Sequence, residues 1–154
     1  MVRDDLPVRA EDDLALERQV CFALSVASRS VVAAYRPVLE PLGLSHPQYL
    51  VMLALWSSRS LSLRQLSEQL RLEPATLSPL VKRLEAAGLV ERARRADDVR
   101  MLDITLTERG ARLREQALAV PGEMMARLGL DREELEQLHG LMTQLIATVD
   151  RSAG

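Results

Sequence analysis

Apolar residues recur every three or four positions along the first part of the chain, which is the spacing of an amphipathic helix. They are Leu16, Val20, Leu24, Ala27, Val31 and Tyr35. This pattern predicts a long first helix that ends before Pro37. The segment up to Pro47 contains proline, glycine and serine and is interpreted as a linker. Pro47 favours the start of a short buried helix over the apolar run at residues 49–56.

The next segment predicts two helices joined by a tight turn. Ser62 and Gln65 have the spacing of a capping box, which opens the first of these helices. Its apolar positions are Leu63, Leu66 and Leu70. After a turn at residues 71–73, Pro74 is placed to begin the second helix and Gly88 to cap its end. Two helices joined in this way are typical of a helix-turn-helix.

The apolar period changes to two after the second helix, as in a strand with one buried face. The alternating apolar residues are Leu102, Ile104 and Leu106. Residues 89–92 are the predicted partner strand, and a polar loop at residues 93–100 joins the two strands. The pattern therefore predicts a β-hairpin with a charged tip, which is the wing of a winged helix-turn-helix.

Two more helices are predicted downstream of the wing. Thr107 caps the first, which is expected to break or kink at Pro121 and Gly122. Asp131 and Glu134 form an acidic capping box for the last helix. The last helix has a wide apolar stripe of Leu135, Leu138, Leu141, Met142, Leu145 and Val149. One small chain has nothing to cover this stripe and the apolar face of the first helix, so we predict a two-fold homodimer.

The predicted fold is thus mainly α with a short β-hairpin wing. A winged helix-turn-helix at residues 47–107 is flanked by dimerisation helices at residues 14–36 and 108–150, in a single chain spanning residues 1–154. The hydrophobic content of 47% suffices for one buried core. No apolar run approaches the roughly 18 to 20 residues that span a bilayer, and the acidic start is unlike a secretion signal. We therefore expect a cytoplasmic protein without a membrane partner.

Charge is segregated along the chain. Residues 59–100 contain nine basic and six acidic side chains, a net charge of +3, whereas the rest of the chain carries −5 of the total of −2. A local basic region of this kind is the footprint of a DNA-binding module. The single cysteine and two histidines are too few for a cysteine-rich zinc site, so we expect no metal and no cofactor.

The second helix of the helix-turn-helix is the candidate recognition helix, or reading helix, which contacts the bases, because an α-helix fits the major groove. Thr76 and Ser78 carry short polar side chains that meet base edges. Pro79 offers an apolar contact for a thymine methyl group. Lys82 and Arg83 lie farther along the helix and are suited to phosphate contacts. All five are predicted DNA-binding residues, although small polar residues also favour early helix positions and exposed charges are often simply solvated.

At the wing tip, Arg94 and Arg95 are placed to enter a minor groove, where narrow A·T-rich stretches attract guanidinium groups. A solvated loop is the alternative for both. Asp98 stands two residues before Arg100, so its carboxylate can hold that guanidinium in a fixed orientation.

From about Leu16 to Val149 the sequence resembles the MarR family of transcription regulators. The shared motifs are the helix-turn-helix, Leu-Val-Glu-Arg at 89–92, Asp-Val-Arg at 98–100 and Leu-Thr-Glu-Arg-Gly at 106–110. Residues 21–24, 47–53 and 76–90 are further similar to the organic hydroperoxide sensing branch of the family, called OhrR, in its one-cysteine type.

This resemblance implies a repressor that binds a pseudo-palindromic operator in double-stranded DNA and is released when an organic hydroperoxide oxidises Cys21. A small cellular thiol would then form a mixed disulfide with the oxidised sulfur. The resemblance also assigns Asp98 to shaping the wing, and Arg100 to wing structure together with a phosphate contact.

In that branch tyrosine hydroxyls hydrogen-bond the reactive sulfur. Tyr35 is kept here, whereas Ser25 and His46 stand where the branch commonly has tyrosine. Ser25 is one helical turn from Cys21 and is a substitute hydrogen-bond partner. Tyr35 is 14 residues beyond Cys21, or about 21 Å along a straight helix. Its hydroxyl therefore reaches the sulfur only from a partner subunit, unless the helix breaks.

Two rival functions remain open at this stage. One is a regulator of the same fold in which a small amphipathic or phenolic molecule binds between the DNA-binding and dimerisation parts, while Cys21 is inert and packs as a small hydrophobic residue. The other is a thiol peroxidase that uses Cys21. The absence of a second cysteine argues against this enzyme, so we expect a protein without catalytic residues.

Overall fold

The computed structural model describes residues 14–16 and 19–154. Its helices are α1 Val20–Leu39, α2 His46–Ser58, α3 Leu63–Leu70, α4 Pro74–Ala86, α5 Glu108–Ala117, α6 Val120–Leu128 and α7 Arg132–Ser152. Its strands are β1 Ser60–Ser62, β2 Val90–Arg94 and β3 Leu102–Leu106. The prediction of a mainly α fold with a hairpin wing is confirmed.

The chain divides into two units, and the boundary between Ala34 and Tyr35 falls within α1. The predicted acidic start and residues 17 and 18 of the predicted first helix lie outside the described residues. Within the part of the chain that the structure describes, no helix is both long and apolar enough to cross a membrane.

The first helix differs from the prediction at both ends. It begins at Val20, not at Leu16, and it continues through Pro37 to Leu39. Pro37 lacks the N–H of one helical hydrogen bond, but the next two residues, Val38 and Leu39, are buried in the core. Their burial holds the last turn of α1 in place. The predicted end before Pro37 is therefore wrong.

The predicted linker is also shorter than expected. A 3₁₀ turn at Glu40–Leu42 follows α1, and Gly43 ends it with φ +70°. The Ser45 hydroxyl then accepts a hydrogen bond from the Gln48 N–H, and the Gln48 side chain accepts one from the Ser45 N–H. This capping box starts α2 at His46. The sequence has the same Ser-x-x-Gln spacing here as at Ser62 and Gln65.

The helix-turn-helix is present as predicted. Ser62 and Gln65 form the reciprocal capping box of α3. Pro74 lies in the first turn of α4, and Gly88 follows α4 with φ +76°. The α3 and α4 side chains at the centre of the core include Leu66 and Leu77, which are both fully buried. Because these two residues share one core, α3, the turn and α4 form one packed body.

The sheet has three strands, in the order β1-β3-β2, whereas the sequence predicted only two. β1 pairs antiparallel with β3 and places Leu61 opposite Ile104. β2 pairs antiparallel with β3 and places Arg92 opposite Ile104. The predicted partner strand at residues 89–92 is displaced, since β2 is Val90–Arg94. The wing is thus joined through β3 to the residues that start α3.

The break after the wing also differs in position. Thr107 caps α5 as predicted, because its hydroxyl accepts a hydrogen bond from the Gly110 N–H. α5 ends at Ala117, and α6 begins at Val120 with Pro121 in its first turn. The predicted break at Pro121 and Gly122 is therefore wrong by a few residues. Proline is tolerated at a helix start, because the first N–H groups of a helix have no intrahelical partner.

The apolar faces of α1 and α7 remain uncovered in the single chain. Exposed apolar residues on them are Phe22, Val26, Val32, Leu138, Leu141, Leu145, Ile146 and Val149. α7, whose acidic capping box at Asp131 and Glu134 is present, has no buried residue along its whole length. An apolar stripe of this extent marks an interaction surface. The predicted homodimer and the predicted bounds of its parts stay predictions.

Candidate nucleic-acid interface and thiol

The outer face of α4 presents the predicted reading residues to solvent. Thr76, Pro79, Lys82 and Arg83 are exposed and Ser78 is half-buried. The opposite face buries Leu77, Leu80, Val81 and Leu84 in the core. This division follows from the 3.6-residue period, which separates apolar from polar positions. The structure therefore brings all five predicted α4 residues to one helix, with four of them fully accessible to a ligand.

Pro79 is the sixth residue of α4 and lies beyond its first turn. It has no N–H to donate to the carbonyl of Ala75, the residue four positions earlier. The helix nevertheless continues to Ala86, because Leu80, Val81 and Leu84 are buried on its inner face. An exposed proline ring thus stands in the middle of the reading face.

The wing tip is a tight turn organised by Asp98. The Asp98 carbonyl accepts a hydrogen bond from the Met101 N–H at 3.0 Å. Its side-chain Oδ1 accepts from the Arg100 N–H at 3.1 Å and from Arg100 Nε at 3.3 Å. The Arg100 guanidinium therefore has a carboxylate partner, but its side chain stays 89% exposed and accessible to a ligand.

The two neighbouring arginines of the wing have different surroundings. Arg94 is exposed, and its Nη1 donates to the Val99 carbonyl at 3.1 Å. Arg95 is half-buried, and its Nε lies 2.9 Å from Oδ2 of Asp103 on β3. The hydrogen bond to Asp103 is the main reason that the pKa of the Arg95 guanidinium is raised. The sequence did not distinguish the two residues, because Asp103 is on the opposite strand.

A second ion pair fixes the wing to the reading helix. Arg92 Nη2 and Nε lie 2.9 and 3.1 Å from Oε1 of Glu85, and the Arg92 N–H donates to Oε2 at 3.1 Å. These bonds from the Arg92 side chain and backbone hold the pKa of Glu85 below its ordinary value. Because Glu85 is at the end of α4 and Arg92 is in β2, the pair keeps the two elements together.

Arg64 is an additional basic residue at this surface that sequence reasoning missed. With Arg94 and Arg100 it lines a cleft of about 360 Å³ between the start of α3 and the wing. Its Nε lies 3.2 Å from Glu68 Oε1, one helical turn later, in an exposed pair. A signal was present in the sequence, because a cation in the first turn of a helix is disfavoured by the helix dipole.

Cys21 is a free and exposed cysteine in the first turn of α1. Ser25, four residues later on the same helix, is also exposed. The alternative in which Cys21 packs as a small hydrophobic residue stays open, because α1 belongs to the predicted dimer surface. Exposure gives an oxidant access to the sulfur, which is one of the two requirements for a reactive thiol.

Tyr35 belongs to an aromatic cluster with two residues of α2. Its ring centroid lies 4.8 Å from that of His46 and 5.8 Å from that of Tyr49. Burial raises the pKa of Tyr35 and lowers the pKa of His46. At neutral pH the phenol therefore keeps its proton and can donate it in a hydrogen bond, while the imidazole is uncharged. His46 thus packs against Tyr35.

Comparison with known proteins places this geometry in a family. Residues 44–102, which contain the helix-turn-helix and most of the wing, match the model of the MarR family. The chain is also 39% identical over 138 residues to the "Organic hydroperoxide resistance transcriptional regulator" of Bacillus subtilis (strain 168), covering 90% of this chain and 94% of that protein. The chain belongs to the MarR family. It is a transcriptional regulator with a winged helix-turn-helix that binds DNA.

Two solved structures of another protein, AbfR, have the same fold as this chain. Reduced AbfR bound to DNA is similar with a TM-score of 0.79 and 31% identity, covering 95% of this chain and 100% of that chain. Overoxidized AbfR bound to DNA is similar with a TM-score of 0.74 and 30% identity, covering 92% of this chain and 99% of that chain. These neighbours confirm the predicted winged helix-turn-helix. The role of each predicted site residue stays a prediction.

Proposed function

We propose that the chain is a cytoplasmic repressor that binds a pseudo-palindromic operator as a homodimer and leaves it when an organic hydroperoxide oxidises Cys21. The observation that carries this proposal is the exposed Cys21 in a chain that is 39% identical, over 90% of its length, to an organic hydroperoxide resistance regulator. The proposal joins three parts: a DNA surface, a dimer and a reactive thiol.

On the DNA surface, the exposed face of α4 enters the major groove. Thr76 and Ser78 contact base edges, and the exposed Pro79 ring meets a thymine methyl group. Lys82 and Arg83 bind phosphates, which position the protein without reading sequence. The division of α4 into an exposed face and a buried opposite face supports this assignment, because Thr76, Pro79, Lys82 and Arg83 are exposed.

The wing contributes the second group of contacts. Arg94 and Arg100 are exposed on either side of the wing turn, and with Arg64 they line one basic cleft. We assign Arg94 to the minor groove and Arg64 and Arg100 to phosphates that flank it. Arg95 reaches the minor groove only if its bond to Asp103 opens, so its contribution is mainly to the shape of the wing.

The dimer forms through the uncovered apolar faces of α1 and α7. Their burial in a two-fold interface removes the exposed stripe from water. Two reading helices then meet successive major grooves about 10 bp apart on one side of the duplex.

The chemical step at Cys21 is a displacement at peroxide oxygen. The thiolate sulfur attacks the outer oxygen of the hydroperoxide, a sulfur–oxygen bond forms, and the oxygen–oxygen bond breaks. The alkoxide that leaves takes a proton from water and becomes an alcohol, and Cys21 becomes a sulfenic acid. A small thiol then displaces water from the sulfenic acid and leaves a mixed disulfide.

Hydrogen bonds to the sulfur stabilise the thiolate that this step needs. Ser25 is one helical turn from Cys21 and supplies one hydroxyl. The half-buried Tyr35 phenol keeps its proton, because burial raises its pKa, and supplies another hydroxyl. Tyr35 is 14 residues beyond Cys21, or about 21 Å along a straight helix, so we assign this second hydroxyl to the partner subunit of the dimer.

The product that releases DNA is assigned to the mixed disulfide. The neighbour AbfR has been solved in an overoxidized form that is bound to DNA. The overoxidized form of that protein thus still binds DNA. A mixed disulfide adds a whole second molecule at the start of α1, where it separates the packed helices of the dimer.

A gel-shift experiment tests this proposal on the DNA upstream of the gene for this chain. The protein is exposed to cumene hydroperoxide with and without a small thiol, and the state of Cys21 is read by mass spectrometry. We expect release only when the mixed disulfide forms, and Cys21→Ser should bind DNA normally and ignore the peroxide. Protein that stays bound while it carries the mixed disulfide would contradict the proposal, as would a Cys21 that remains reduced.

A groove at the boundary of the winged helix-turn-helix favours one alternative function. Tyr49, Leu53 and Trp56 of α2, with Arg114 of α5 and Leu118 just after α5, line a volume of about 340 Å³. This volume suits a small amphipathic molecule. In the ligand-responsive alternative, a phenolic acid occupies the groove and Cys21 is inert. Release by 4-hydroxybenzoate in Cys21→Ser, without any response of the wild type to peroxide, would establish it.

A further inference from the structure

The turn of the helix-turn-helix is joined to the C-terminal helix by a two-pronged ion pair. Arg71 Nη2 lies 2.7 Å from Asp150 Oδ2, and Arg71 Nη1 lies 3.1 Å from Oδ1. The two residues are 79 positions apart in sequence. Two parallel bonds between a guanidinium and a carboxylate fix orientation as well as distance. The pair therefore holds α3 and its turn in one position against the end of α7.

Arg71 occupies a backbone conformation that other residue types adopt more readily than arginine does. Its φ is 54° and its ψ is 41°, in the left-handed region. Glycine, asparagine and aspartate adopt this conformation most readily, since a longer side chain crowds the backbone there. Backbone strain of this kind is concentrated at functional positions, which supports a role for the Arg71 side chain. Its visible task is the contact with Asp150.

The turn that holds Arg71 is itself well fixed. The N–H groups of Arg71 and Leu72 both donate to the Ser67 carbonyl. The Ser67 hydroxyl donates to the Leu72 carbonyl at 2.5 Å. The base of the Arg71 side chain therefore moves only with α3. Because Leu66 of α3 and Leu77 of α4 share the buried core, the reading helix moves with it too.

The other end of the pair is on a helix that its own chain does not bury. α7 has no buried residue, and its apolar stripe belongs to the surface that we assign to the dimer. Within one chain, therefore, no fully buried apolar residue of α7 sets its position relative to the helix-turn-helix. The contact between Arg71 and Asp150 supplies a polar anchor at this place.

We propose that Arg71 and Asp150 are positioning residues that fix each helix-turn-helix against α7 and so set the half-site spacing that the dimer accepts on DNA. This inference rests on the proposed dimeric DNA binding. α7 carries part of the dimer surface, and the turn at Arg71 directly precedes α4. A change in the angle between them changes the distance between the two reading helices, without a change in any residue that contacts DNA.

The test uses three operators that differ only in the spacing between half-sites: the natural spacing, one base pair fewer and one base pair more. The measured quantity is the ratio of affinities for natural and altered spacing. Asp150→Asn keeps the size of the side chain but removes its charge. We expect its ratio to fall about two- to fivefold below that of the wild type, which is the range for one exposed ion pair. Affinity for the most favourable operator should change less.

A charge exchange and a matched control complete the test. Arg71→Asp combined with Asp150→Arg restores the pair in reverse, and aspartate tolerates the left-handed conformation. We expect this double variant to recover most of the wild-type ratio. Arg151→Gln removes a charge from the same turn of α7 without removing the pair, and should leave the ratio unchanged.

An unchanged ratio in Asp150→Asn overturns the inference, and so does a loss of thermal stability without a loss of spacing preference. Failure of the double variant to recover the ratio, with its fold intact by circular dichroism, also overturns it. If the wild type itself binds all three operators with equal affinity, the proposed dimeric function is wrong. The two failures are therefore distinguishable.

Discussion

Arg95 and Asp103 form an ion pair across the wing hairpin, with Arg95 Nε 2.9 Å from Asp103 Oδ2 and both side chains partly buried. Arg95 directly follows β2 as the first residue of the hairpin loop, and Asp103 is in β3. The pair closes the wing close to its tip. An acidic residue thus supports the wing, a surface that we propose to bind DNA. Loss of its charge and loss of its ion pair would change DNA affinity in opposite directions.

We predict that Asp103→Asn weakens DNA binding by up to about fivefold, the range for a single ion pair at a protein surface. Removal of a negative charge alone would strengthen binding to DNA, so weaker binding identifies the loss of wing shape. Fluorescence anisotropy with labelled operator at fixed salt measures the effect. Asp97→Asn is the control, because Asp97 is an exposed acid in the hairpin loop. This variant should bind DNA as tightly as the wild type or more tightly. Tighter binding by Asp103→Asn would contradict this role.

Arg94→Ala should reduce the slope of log affinity against log salt by about one, because one fewer phosphate or groove contact releases one fewer counterion. Thr76→Ala should change the preferred base at one position of each half-site and leave the slope nearly unchanged. Titrations at four salt concentrations on natural and substituted operators separate these effects. Arg127→Ala, in the last turn of α6, is a charge control without an expected effect. Reversed responses would mean that the division of roles is wrong.

Tyr35→Phe should slow the oxidation of Cys21 without abolishing it, since Ser25 keeps one hydroxyl near the sulfur. The ring still packs against His46, so dimer formation and DNA affinity should not change. Stopped-flow measurement of thiol loss gives the rate, and a double variant with Ser25→Ala should be slower than either single variant. A rate equal to that of the wild type in the double variant would exclude both hydroxyls from the mechanism.

Gly110→Ala should destabilise the fold by about 1–3 kcal/mol, the usual penalty for an overpacked site. A Cβ at Gly110 would collide with the backbone carbonyl of Leu89 and crowd the side chain of Leu106. Gly122→Ala is the matched control, since a Cβ there has no neighbour within 4 Å. It should be neutral or stabilise α6 by up to about 1 kcal/mol. Urea unfolding of the two variants measures both values.

The pair between Glu85 and Arg92 gives stability a dependence on acid. Because the pKa of folded Glu85 is lowered by the Arg92 hydrogen bonds, its contribution is present at neutral pH. It is lost as the pH falls from about 4.3, the ordinary value for glutamate, through the lower folded value. Glu85→Gln should therefore be less stable than the wild type at pH 7. The difference should shrink near pH 3 in thermal unfolding experiments.

Local features of this fold were readable from the sequence. The capping boxes at Ser62 and Asp131 are present as predicted, because each depends on residues three positions apart. Gly88 follows α4 with a positive φ, which is the conformation of the helix cap predicted there. The end of α1 was not readable, since Val38 and Leu39 are buried by other segments and hold the helix beyond Pro37.

Features that join distant segments were not predictable. β1 contains only three residues, and its pairing with β3 links Ser60 to Thr105. The partner of Arg95 on β3 and the partner of Arg71 on α7 are visible only in the folded chain. The exposed polar face of α4 was predictable because the helical period separates it from the buried face. The connections that hold this face in position were not.

Trp56 donates a hydrogen bond from Nε1 to the Gly110 carbonyl at 2.9 Å, and it is the single tryptophan of the chain. Its indole therefore lies where α2 meets the first turn of α5. Emission from this one fluorophore reports whether that junction is intact. A shift of the emission maximum on peroxide treatment would time the movement at the junction against the release of DNA, with no added label.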